Sequence, residues 1–148
     1  MTPDELATAC ADLMWADDAA SQALGMQLVS VRPGRATLRM SVRTDMTNGH
    51  GIAHGGFVFA LADSAFAFSC NTYNVRTVAQ GCDISFLLPA HEGDVLHAEA
   101  RERVRAGRSG IYDVTVTRGD EIVAEFRGRS RTIGGAILAE ESEPGEEV

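Results

Sequence analysis

The chain has 148 residues, 45% of them apolar, with a formal net charge of −8, which suits one compact domain with a proper core. Five of its 21 acids (Glu140, Glu141, Glu143, Glu146 and Glu147) lie at the end of the chain, leaving 13 basic residues against 16 acids over residues 1–139, so nothing draws it globally to nucleic acid. Every basic residue is arginine, which excludes a lysine Schiff base, a pyridoxal phosphate anchor and a phosphate-loop lysine.

Thr2-Pro3-Asp4-Glu5 is a helix start. Thr2 can cap, Pro3 suits the first helical position, and Glu5 completes a capping box. Leu6, Ala9, Cys10, Leu13 and Met14 then recur at helical spacing. This N-terminus is acidic and has no apolar signal core, so the expected location is cytoplasmic. A second helical turn is expected from Asp17 to Leu24, stopping at Gly25. Met26 to Val31 leads to the turn Arg32-Pro33-Gly34, and Ala36, Leu38, Met40 and Val42 alternate with polar residues, the mark of a strand with one wet face.

The run Asn48 to Asn71 reads NGHGIAHGGFVFALADSAFAFSCN. A glycine-rich turn feeds His54, Gly55 and Gly56. A helix follows to about Thr72, apolar on most sides and therefore covered on most sides. It is shorter than a membrane span and carries Asp63, so no membrane partner is expected. Strand signals resume at Thr77–Leu88, Asp94–Val104, Ile111–Arg118 and Ile122–Thr132, with Ala106-Gly107 and Gly119-Asp120 as hairpin turns. The order is α+β, an antiparallel sheet with a central helix on one face. Residues 1–135 form one domain, and 136–148 read as an acidic disordered tail.

Chemistry concentrates in the central run. The first turn of a helix has free N–H groups and the positive end of the dipole. Gly55 and Gly56 let an anion or a polarised carbonyl approach that backbone closely. Asp63 comes seven or eight residues later, on roughly the same azimuth but about 11 Å along the axis. One helix does not easily bring both groups to one carbonyl, whereas two antiparallel copies form two equivalent sites. A carboxylate there serves as general base for water or as nucleophile on an acyl carbon. Its bland alternative is a structural carboxylate paired with an arginine. His50 and His54 are four apart, but the surrounding glycines argue against the helix that metal ligation at that spacing needs, and Cys10, Cys70 and Cys82 are scattered; no metal is expected. Phe57, Phe59, Phe66 and Phe68 read mainly as packing, with one or two lining an acyl pocket. Cys70 has no histidine partner and no nucleophilic role is expected.

The run NGHGIAHGGFVFALADSAFA resembles the signature of the hotdog-fold acyl-CoA thioesterases, and within them the phenylacetic-acid-degradation (PaaI-type) thioesterases. Arg105 to Val114 and Val123 to Gly128 are similar to that family too, and the resemblance covers residues 5–135. It implies a long helix wrapped by an antiparallel sheet, working as a homodimer or homotetramer with sites at subunit interfaces. Hydrolysis of an arylacyl-CoA of the phenylacetyl or hydroxyphenylacetyl type is implied, with no cofactor beyond the coenzyme A of the substrate. Asp63 then matches the catalytic carboxylate, and the N–H of Gly55 or Gly56 the group polarising the carbonyl. Asn48 and His54 match polar residues beside the thioester. Some relatives place a hydroxyl one turn after the carboxylate. Here that position is Ala67, Ser64 is adjacent instead, and Asn48 becomes the candidate for holding water. Phe57, Ser64 and Tyr73 are candidates for the substrate site, and Arg105 and Arg108 for the phosphates of coenzyme A. The alternative function is a hotdog module that binds acyl-CoA without hydrolysing it; a hotdog dehydratase is more distant, lacking that family's histidine-plus-acid helix.

Overall fold

The computed structural model describes residues 1–139. Helix α1 (Pro3–Asp17) starts as expected: Thr2 Oγ1 accepts from the Glu5 N–H at 3.1 Å. Asp18 caps α2 (Ala19–Ala23) in the same way, accepting from the Ser21 N–H at 2.9 Å. The hairpin of β1 (Gln27–Arg32) and β2 (Arg35–Ser41) turns at Gly34, whose φ of +70° is cheap only for glycine. A short 3₁₀ turn, Thr44–Met46, was not signalled by any periodicity. Helix α3 runs Gly55–Cys70, and β3 (Thr77–Phe86), β4 (Val95–Ala106), β5 (Ser109–Arg118) and β6 (Glu121–Thr132) complete the fold.

The six strands form one antiparallel sheet in the order β1-β2-β4-β5-β6-β3. β4, β5 and β6 are the expected meander. β3, which precedes them in sequence, sits beyond β6 at the far edge and has no further strand beside it among the described residues. Helix α3 lies across the inner face of the sheet, packed on Leu38, Leu96, Val114 and Phe126 through Leu61, Ala65, Phe66 and Phe68. Small sheet residues make room for it. Ala36, Ala98, Ala100 and Ala124 are fully covered, and at Gly128 an added Cβ would lie 2.7 Å from two atoms of the Phe66 ring. At the other edge, α1 packs on β1. Ile137 and Leu138 donate their N–H groups to Asn74 Oδ1 at 3.0 and 2.8 Å, so the segment expected as tail begins on tethered residues. Its acidic part, from residue 140, lies outside the described residues.

Candidate active site

The turn before α3 is built by Asn48. Its Oδ1 accepts from the N–H groups of His50 (2.9 Å) and Ile52 (3.3 Å), while its backbone bonds Ile52 and Gly51. That leaves the Asn48 amide NH₂ as the side chain's free donor at the surface. Further on, the Ala53 N–H reaches the Ala90 carbonyl and the His54 N–H the Met46 carbonyl, which fixes how the chain enters the helix.

His54 is the N-cap of α3. Its Nδ1 accepts from the Gly56 N–H at 3.1 Å, and its carbonyl accepts from the Phe57 N–H. An imidazole that accepts at Nδ1 carries its proton on Nε2, which can donate outward. The two glycines are thereby told apart. The Gly56 N–H is used, whereas the Gly55 N–H has no partner among the described residues. Gly55 thus offers the unsatisfied donor at the positive end of the helix dipole.

Half of α3 is buried; along one side of it Gly56 is exposed and Ala60, Asp63 and Ala67 are half-buried. At spacings of four, three and four these residues form one open strip of small side chains with a carboxylate in it. Burial pushes the Asp63 carboxyl above its ordinary range, and no hydrogen bond or opposing charge brings it back. Burial raises the Cys70 and Cys82 thiols, and the Asp63 charge adds to both in the same direction. Asp63 is therefore not the arginine-paired structural carboxylate that the bland reading required.

Tyr73, Arg105 and Arg108 fall at the other end of α3, about 22 Å from Gly55 at helical rise. A cleft of about 410 Å³ opens there, lined by Cys70, Tyr73, Arg105, Arg108, Ser130 and Thr132 among others. The Arg105 guanidinium stacks on the Tyr73 ring at 3.6 Å from its centroid. A single oxygen, Glu102 Oε1, accepts from Tyr73 OH (3.0 Å) and Tyr112 OH (2.9 Å) and forms an ion pair with Arg105 Nε (3.0 Å). Arg105 is consequently part of the wall, and Arg108 is the one of the two cleft arginines with no ion-pair partner among the described residues. Burial lifts the Cys70 thiol to about 12, so it stays a neutral thiol at physiological pH.

Two further candidates, Ser64 and Phe57, lie on α3 itself. Ser64 does not face the open strip; its hydroxyl lies 2.8 Å from Ser21 Oγ, which in turn donates to Asp18 Oδ2 at 2.7 Å, tying α2 to α3. Phe57 packs half-buried against the core, edge-on to the His54 ring at 6.3 Å. Sequence reasoning also passed over Glu102, Tyr112 and Phe86. The only signal for Phe86 was its place in the period-two series Cys82, Ile84, Phe86.

A family model described as the thioesterase superfamily matches residues 50–125. The chain is 43% identical over 131 residues to the acyl-coenzyme A thioesterase PaaI of Escherichia coli K12, covering 88% of this chain and 94% of that one. The solved structure of the E. coli PaaI protein from the phenylacetic acid degradation operon superposes with a TM-score of 0.89 at 40% identity, over 91% of this chain and 99% of that one. A Streptococcus mutans protein solved bound to acetyl CoA superposes at 0.72 with 25% identity, over 75% of this chain and 90% of its own.

Proposed function

The chain belongs to the thioesterase superfamily, with the hotdog fold, and is an acyl-CoA thioesterase of the PaaI type; from that premise we propose that it hydrolyses an arylacyl-CoA, of the phenylacetyl or hydroxyphenylacetyl type, at sites shared between two copies of the chain. The observation that carries this reading is the pairing, on one helix, of an unsatisfied Gly55 N–H with the unpaired, desolvated Asp63 carboxylate.

The two groups are about 12 Å apart along α3, too far to act on one carbonyl, for which reacting atoms must approach to about 3–3.5 Å. Symmetry removes the difficulty. Gly56 and Asp63 lie almost evenly on either side of Ala60, and a second α3 crossing antiparallel at that small residue sets the first turn of one helix against Asp63 of the other. The open edge of β3 supports the same contact. It is ten residues long and exposes Val78 and Phe86, the kind of edge that folded proteins cover.

In such a site the thioester oxygen accepts from the Gly55 N–H, which stabilises the oxyanion as it forms. The opposed Asp63 takes a proton from water as the water oxygen bonds to the acyl carbon; collapse of the tetrahedral intermediate breaks the C–S bond and releases acid and coenzyme A. Direct attack by Asp63, which breaks the C–S bond, expels the coenzyme A thiolate and gives an acyl–aspartyl anhydride that water then opens to the free acid, uses the same geometry. The raised pKa makes Asp63 the stronger base. The free Asn48 amide and the His54 Nε2–H are the donors available beside it. Coenzyme A phosphates find their cation at Arg108.

A thiol-release assay over aryl and aliphatic acyl-CoAs tests the reaction. Asp63→Ala is expected to leave a folded oligomer with kcat lowered by about 10²–10⁴. Undiminished turnover in that variant sinks the mechanism, and binding without turnover in the natural chain favours a non-hydrolytic module. Arg108→Ala should raise KM for the CoA thioester and not for the matching pantetheine thioester, which lacks the nucleotide.

A further inference from the structure

The proposed site assigns the Phe86 ring itself no chemical task. Phe86 ends the edge strand β3, 53% exposed and followed by the exposed Leu87 and Leu88, a contiguous apolar patch of the kind that marks a binding surface. Paired with Ala124 on β6, it belongs to the face of the sheet that holds α3. An ideal Cβ on Gly55 would meet Phe86 Cζ at 2.9 Å and the two Cε atoms at 3.3 and 3.4 Å. The tip of the ring thus stands against the Cα of the residue whose N–H is free.

We propose that Phe86 is the specificity-determining wall of the acyl pocket and selects aryl over short aliphatic acyl groups, an inference that rests on the thioesterase reading above. A carbonyl oxygen accepting from the Gly55 N–H brings the carbon chain beyond it alongside the Phe86 ring. An aryl group one or two bonds further on meets that ring at the edge-to-face or offset distances aromatic pairs prefer. A short aliphatic group offers only a few dispersion contacts there. Glycine at position 55 serves both tasks, since a side chain would push the ring off the donor.

The test compares kcat/KM for phenylacetyl-CoA and butyryl-CoA in the natural chain and in Phe86→Ala, Phe86→Leu and Phe86→Tyr. The aryl-to-aliphatic ratio should fall roughly two- to tenfold in Phe86→Ala. It should fall in Phe86→Leu, which keeps the apolar bulk, and hold in Phe86→Tyr, which keeps the ring. A ratio unmoved in Phe86→Leu, or both substrates declining in parallel, overturns the assignment. Calorimetric binding of the non-hydrolysable phenylethyl and butyl thioethers of coenzyme A supplies a second readout. If the natural chain turns over neither thioester, the hydrolytic reading fails on its own, while loss of the aryl preference in binding on Phe86→Leu still supports Phe86 and its persistence refutes it.

Discussion

Subunit complementation tests the shared site most directly. Gly55 is the first residue of α3 and its N–H has no internal partner. Proline is well suited to that position, because its fixed φ fits a first helical residue and the N–H it lacks is an orphan there. His54, the preceding residue, has φ −62° and ψ 132°, the extended backbone proline demands before it. The ring carbons displace only the tip of Phe86, which is free to swing outward. Gly55→Pro therefore deletes the donor in a folded chain and also shifts the Phe86 ring of the same subunit, and kcat should fall by at least about 10²–10³, the usual loss for an oxyanion donor. Asp63→Asn deletes the carboxylate. Mixed in equal amounts with subunit exchange, the two variants give dimers of which half are mixed. Each mixed dimer has one site with both groups intact and one with neither, so activity should recover to about a quarter of the natural chain's. The assay is thiol release from phenylacetyl-CoA before and after joint refolding. A mixture no more active than its parents would falsify the shared site and place both groups in separate roles within one chain.

Three further outcomes follow from the geometry. Burial raises the Asp63 pKa in the folded chain, so kcat/KM should rise with pH through a limb above the ordinary carboxylate range, and Asp63→Asn should lose that limb. For stability the sign is reversed: ionisation is harder folded than unfolded, so its cost is absent below the ordinary carboxylate pKa and complete above the raised one. Asp63→Asn should accordingly raise Tm at pH 7 and lose this advantage near pH 3, as read by thermal melts. Gly128→Ala sets a methyl 2.7–2.8 Å from three ring atoms of Phe66, a buried ring held between Tyr112 and Phe126 with centroids 5.7 and 5.8 Å away. Overpacking of that kind costs about 1–3 kcal/mol, a Tm lower by roughly 2–12 °C, and an unchanged melt would show that the sheet yields there. Tyr112→Phe removes one of the two hydroxyl donors to Glu102 and should cost about 1 kcal/mol in denaturant titrations, whereas Glu102→Leu strands the buried Tyr112 hydroxyl and should cost about 1–3 kcal/mol.

A carboxylate on the open strip of α3 explains why the helix is so apolar elsewhere. Its buried residues, Val58, Leu61, Ala62, Ala65, Phe66 and Phe68, anchor it to the sheet, and each fully buried large side chain contributes about 1.5–3 kcal/mol. That surplus tolerates one unpaired acid. A second copy laid on the strip as proposed would act on Asp63 in two opposed ways: removing water raises its pKa, and the positive end of the partner helix lowers it.

The sequence disclosed whatever is encoded over a few residues. Thr2 with Glu5, Gly25 after α2 and the turn at Gly34 use local rules of capping and positive φ, and the half-site from Asn48 to Asp63 is contiguous. Register was not readable. A period of two places Cys82, Ile84 and Phe86 on one face of a strand, but only the pairing of β3 with β6, at the far edge of the sheet, brings Phe86 to Gly55, 31 positions earlier in the chain. Glu102 shows the same limit: Tyr112 faces it by the pairing of β4 with β5, while Tyr73 arrives from the loop after α3. Ser64 shows it from the opposite side. Its adjacency to Asp63 suggested a shared task, yet neighbours on a helix differ by about 100° in azimuth, enough to give one the open strip and the other the α2 contact. Spacing along the helix, read as angle, would have separated them; no spacing along a strand would have named the residue across from Phe86.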